Sequence, residues 1–76
     1  MIIRSQNKDQ IININSIATI CLGSINDCMI SAEFPTNGQW NVLLGTYAYR
    51  ERALKVLGEI QSAYANGDKV YEMPEK

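Results

Sequence analysis

The stretch LLGTYAYRERALKVLGEIQ, residues 43 to 61, changes period partway along, and that change decides the fold class. Before it, Trp40, Val42 and Leu44 recur every second residue, as on a strand with one buried face. From Tyr49 onward the apolar residues Ala53, Leu57, Ile60 and Tyr64 fall on one helical stripe, flanked by Val56, Leu54 and Gln61. Glu51, Arg52, Lys55, Glu59 and Ser62 take the opposite, solvated side, with Glu51 and Lys55 spaced for a weak i, i+4 pair. Asn66-Gly67 supplies the stop, because glycine accepts the left-handed conformation that ends helices. Gly58, inside the helix, costs about 1 kcal/mol relative to alanine and marks a possible close approach of backbone to a neighbour.

Upstream of the helix the chain reads as strands and turns. Ile2 to Ser5 and Gln10 to Ile14 flank the polar run Gln6-Asn7-Lys8-Asp9, a hairpin pattern. Asn15-Ser16 breaks the chain, and Ile17 to Leu22 alternates Ala18, Ile20 and Leu22 with Ile17, Thr19 and Cys21. After the turn residues 23 to 27, Cys28, Ile30, Ala32 and Phe34 share a face opposed by Met29, Ser31 and Glu33. Pro35-Thr36-Asn37-Gly38 is the strongest turn signal in the chain.

These patterns predict one α+β domain over residues 1–76: an antiparallel meander of about five strands, one C-terminal helix packed on one face, a short last strand at Val70 to Met73, and Glu75-Lys76 frayed. The sheet either stays open or curls into a partial barrel. Facing residues of antiparallel strands share a side, so Leu22 is expected opposite Cys28 and Phe34 opposite Trp40, with the second turn long or bulged.

Composition narrows the chemistry. Apolar residues make up 46% of the chain and charged ones 20%, enough apolar material to fold, though a core of this size gives marginal stability that association supplements. Seven basic and eight acidic residues give a net charge of −1, which disfavours nucleic acid as a partner. No apolar run reaches a membrane span of roughly 20 residues and the first residues lack a signal-peptide pattern, so a cytoplasmic protein is expected. With no histidine and two cysteines, the sequence suggests no metal site, cofactor or catalytic residue, and a non-enzyme is expected. Cys28 is expected in the core, and Cys21 on the opposite face beside Met29.

Two surfaces remain as candidates. Ile11, Ile17, Cys21, Met29 and Leu43 project away from the side assigned to the helix, and an exposed apolar face of this kind marks contact with a second copy or another protein. At the strand-to-helix junction, Tyr47, Tyr49, Arg50 and Arg52 could hold an anion, a nucleotide or a single strand of nucleic acid. The leading expectation is a protein-interaction or accessory module; the alternative is a small ligand-binding module at the junction.

The segment IRSQNKDQIINI, followed by strands and then LGTYAYRERALKVLGEI, resembles a group of small uncharacterised proteins of Gram-positive bacteria and their phages or mobile elements. The resemblance covers most of the chain and implies strand, turn and helix without an activity. In that group the helix opens on serine or threonine followed by acidic residues. Here Ala48-Tyr49-Arg50 stands in that place, so the ordinary N-cap is missing.

Overall fold

A computed structural model describes residues 1–17, 19–23, 28–35 and 41–76. Among them lie β1 (Ile2–Arg4), β2 (Ile11–Asn13), a 3₁₀ turn (Ile14–Ser16), β3 (Thr19–Leu22), β4 (Met29–Glu33), β5 (Asn41–Thr46), α1 (Arg50–Ala65) and β6 (Val70–Glu72). The α+β class holds, with α1 packed on β3 and β4. The strands divide between two three-stranded sheets, an antiparallel meander β3-β4-β5 and a second sheet ordered β2-β1-β6. Neither sheet closes into a barrel.

Sheet β2-β1-β6 joins the predicted hairpin to the last strand. Ile2, Ile3 and Arg4 pair antiparallel with Asn13, Ile12 and Ile11, and on their other side run parallel to Val70, Tyr71 and Glu72. Alternation then sends Ile3 and Ile12 into the core and leaves Ile11 outside. The connecting loop carries Lys8 at φ 66°, a left-handed conformation costly for a residue with a Cβ. Buried Ser5 steadies it: the hydroxyl lies 3.0 Å from Asn7 Oδ1 and 3.2 Å from Asp9 Oδ1, and accepts from the Gln10 N–H at 3.2 Å.

In the meander, Leu22 faces Ile30 and Cys21 faces Ser31, two residues along from the expected partners Cys28 and Met29. The ladder ends one step earlier on β4, where the Gly23 N–H donates to the Met29 carbonyl at 2.9 Å. A slip of two keeps every side chain on its expected face, which is why the alternation survives the error. Between β4 and β5, Glu33 faces Asn41 and Ala32 faces Val42, but Ile30 faces Gly45 rather than Leu44. Leu44 is the extra residue of a bulge, so Leu44 and Gly45 are both buried. The expected pairing of Phe34 with Trp40, the position of Ala18 and most of both turns lie outside the described residues.

The buried face of α1 is Ala53, Val56, Ile60 and Ala63, rotated by roughly 50° from the expected stripe. Leu57 is half-buried, and Tyr64, expected on the buried stripe, is exposed, as is Tyr49 at the helix start. The rotation turns Arg52 and Glu59 inward toward the C-terminal segment. Tyr49 is the N-cap in an extended conformation and its side chain makes no capping bond, in keeping with the missing cap. The other end is well closed. Gly67 at φ 78° donates to the Tyr64 carbonyl and Asp68 to the Ala63 carbonyl, the pair of bonds of a Schellman motif.

Both sheets and the helix share one core, in which Ile3, Ile30, Leu44 and Val56 are fully buried beside Tyr47 and Met73. Cys28, expected there, is instead half-buried in the turn before β4, and neither cysteine is joined in a disulfide.

Candidate functional site

The junction between β5 and α1 is built around Tyr47. Its ring is buried, and its hydroxyl donates to the Pro74 carbonyl at 2.9 Å. Gly45 makes this possible: a Cβ there would stand 3.0 Å from the Tyr47 hydroxyl and 3.2 Å from Gln6 Cβ. The bulge turns the Leu44 carbonyl toward the Gln6 N–H, at 2.8 Å. The Gln6 amide then pairs with Thr46 as another strand would, accepting from its N–H at 2.8 Å and donating to its carbonyl at 2.9 Å. The two sheets are thereby stitched together, and the backbone groups of β5 that would otherwise face the gap are satisfied.

Arg52 lies over the Tyr47 ring, with its guanidinium carbon 5.8 Å from the centroid. Its Nε and Nη2 donate to the main-chain oxygen of Lys76 at 2.9 and 2.7 Å. Two turns farther along the helix, Glu59 accepts from the Tyr71 hydroxyl at 2.8 Å. Burial pushes the Tyr71 phenol well above its ordinary value, and the bond to Glu59, which needs the proton, pushes it further. Burial also raises Tyr47, partly offset by the positive charge of Arg52.

Of the four junction candidates, Tyr47 and Arg52 are therefore committed to the C-terminal segment. Tyr49 is 57% exposed and Arg50 is exposed in the first helical turn. A cleft of about 470 Å³ runs beside Tyr47, Tyr49, Arg52 and Lys76. Glu75 and Lys76 are held by main-chain hydrogen bonds rather than frayed, since Gln6 Nε2 also donates to the Glu75 carbonyl at 2.9 Å. Glu59, expected in solvent, is half-buried.

The five apolar interface candidates separate into three places. Cys21 and Leu43 flank Ser31 in one row across the meander, with Met29 near the end of the same outer face. Leu43 is 48% exposed at that row. Ile11, 61% exposed, belongs to the other sheet, where it lines up with Arg4 and Glu72. Ile17 packs against the core and lines an open apolar groove of about 430 Å³ with Ile14, Ile20, Leu57, Ile60 and Tyr64. The groove follows from the rotation of α1, which moves Leu57 and Tyr64 to the margin of the packed face.

The residues that organise the junction, Gln6, Tyr71 and Glu59 with Tyr47 and Arg52, have no signature in the sequence, because each acts on a main-chain or side-chain group far along the chain. The crowding of tyrosine and arginine at residues 47 to 52 was the one available pointer. Among the described residues no group of three or more histidine, cysteine, aspartate or glutamate side chains is placed to hold a metal ion. None of the described helices is long and apolar enough to cross a membrane. No protein-family model matches the chain, and no match was found among curated proteins or solved structures.

Proposed function

We propose that the chain is a non-catalytic cytoplasmic interaction module that self-associates through the outer face of β3-β4-β5, an accessory factor of the kind its resemblance to small proteins of Gram-positive bacteria and phages suggests. The observation that carries this reading is the row Cys21, Ser31 and Leu43, with Leu43 half-exposed on the face opposite buried Ile30 and Ala32. Glu33 is the one formally charged side chain on the described strands of this sheet. A second copy can therefore lie against the same face with little like-charge repulsion. The absence of histidine supports the non-catalytic part of the reading.

A stable interface of this type covers about 800 Å² on each partner. Light scattering or sedimentation at micromolar concentration is expected to give the mass of a dimer or larger, and Leu43→Lys or Met29→Lys to give a monomer with unchanged circular dichroism. A monomer at every concentration, with no change on either substitution, overturns the proposal. The alternative, an anion, nucleotide or single-stranded nucleic acid at the junction, has the cleft beside Tyr49 in its favour, but the Arg52 guanidinium is already bonded to Lys76.

A further inference from the structure

The C-terminal segment is held in a manner unlike the rest of the fold. The Ile2 N–H donates to the Lys69 carbonyl at 2.9 Å, β6 runs parallel along β1, and the Met73 N–H donates to the Arg4 carbonyl at 3.0 Å. Beyond Met73 the three successive carbonyls of Pro74, Glu75 and Lys76 are taken by three side chains of the body, Tyr47, Gln6 and Arg52. The side chains of Glu75 and Lys76 themselves stay exposed. The body thus grips main chain over residues 69 to 76 and reads side chains at two positions, Met73, buried in the core, and Tyr71, bonded to Glu59.

That division of labour is how sheet edges capture extended peptides: main-chain bonds give affinity, and pockets for a few side chains give selectivity. We infer that the β1 edge, with Gln6, Tyr47 and Arg52, is a groove for an extended segment of a partner protein bearing a tyrosine and, two residues on, an apolar residue, and that residues 70 to 76 occupy it as a built-in competitor. The seated tail itself shows the chemistry of the occupant. It is joined to α1 through only residues 66 to 69, so its effective concentration is on the order of millimolar and a free peptide must displace it. This inference is independent of the outer sheet face, and either can fail alone.

The test titrates a fluorescent peptide of residues 69 to 76 into the full-length chain and into two variants that weaken the tail without altering the groove. Tyr71→Phe removes the bond to Glu59, and Val70→Gly loosens β6 at an exposed position. Weakening the competitor raises the fraction of open groove, so apparent affinity is expected to tighten about fivefold or more for Tyr71→Phe and further for the double variant. A peptide with Asp in place of Met73 should lose binding to all of them. Circular dichroism checks that each chain is folded, and Val70→Gly alone, which removes no buried side chain, serves if Tyr71→Phe is not. No saturable binding to any folded chain, equal binding to wild type and variants, or equal binding of the Asp peptide overturns the inference.

Discussion

The two flanks of α1 are finished differently. On one, Arg52, Glu59 and Ala63 meet the C-terminal segment, and the polar groups there find partners. On the other, Leu57 and Tyr64 border an open groove, with Tyr64 58% exposed. The difference teaches that the buried face of this helix is set by what closes over it as well as by its own stripe. The sequence stripe points at Leu57 and Tyr64, whereas Val56 and Ala63 are the buried ones, on the side where Arg52 and Glu59 meet the C-terminal segment.

Substitutions can break that contrast, and the closed flank should be the sensitive one. Gly45→Ala is expected to cost about 1–3 kcal/mol by chemical denaturation, because the new methyl meets both Tyr47 and Gln6 where the two sheets are stitched. Tyr47→Phe should cost about 1–2 kcal/mol, since it leaves the Pro74 carbonyl without its donor. Gly58→Ala points the other way. A Cβ at Gly58 meets nothing within 4 Å, so the close approach expected of this glycine does not occur. Alanine there should stabilise by about 0.5–1 kcal/mol. On the open flank, Tyr64→Ala should change stability by no more than about 0.5 kcal/mol.

Alkaline pH sharpens the same contrast. Tyr71 and Tyr47 hold their protons more tightly folded than unfolded, so the folded chain binds more protons once the unfolded phenols begin to ionise at about pH 10. Their contribution is intact below that pH and is lost as pH rises above it. Stability measured by urea denaturation should fall in this range, and less steeply in Tyr71→Phe. An equal fall in both proteins would mean that Tyr71 titrates no differently in the two states.

Most local structure was legible in the sequence because period and turn chemistry are local. The strands around Ile3, Ile12, Ile30 and Ala32, the helix from Arg50 and the stop at Gly67 all followed from spacing. The division into two sheets did not, because three-residue strands carry little pattern and the parallel partnership of β1 with β6 joins segments almost a whole chain apart. The Leu44 bulge was equally hidden, since Leu44 and Val42 alternate as an unbulged strand would. Of the candidate residues, Cys21, Met29 and Leu43 share one face, whereas Ile11 and Ile17 match it in parity alone and lie in the other sheet and in the groove. Tyr47 and Arg52 stand out by their chemistry, but their partners, main-chain oxygens of residues 74 and 76, leave no mark on side-chain identity.

The position of β1 between β2 and β6 also bears on how the chain is made. The β1-β2 hairpin and the meander need only neighbours in sequence and can form while synthesis continues. The β2-β1-β6 sheet must wait for residues 70 to 72, and Met73 enters the core only then. Contacts between such distant segments are slow to close. During synthesis residues 70 to 73 are therefore the ones that complete the packing around β1, and until they emerge, an edge of β1 and part of the core stand open to other nascent chains and to chaperones.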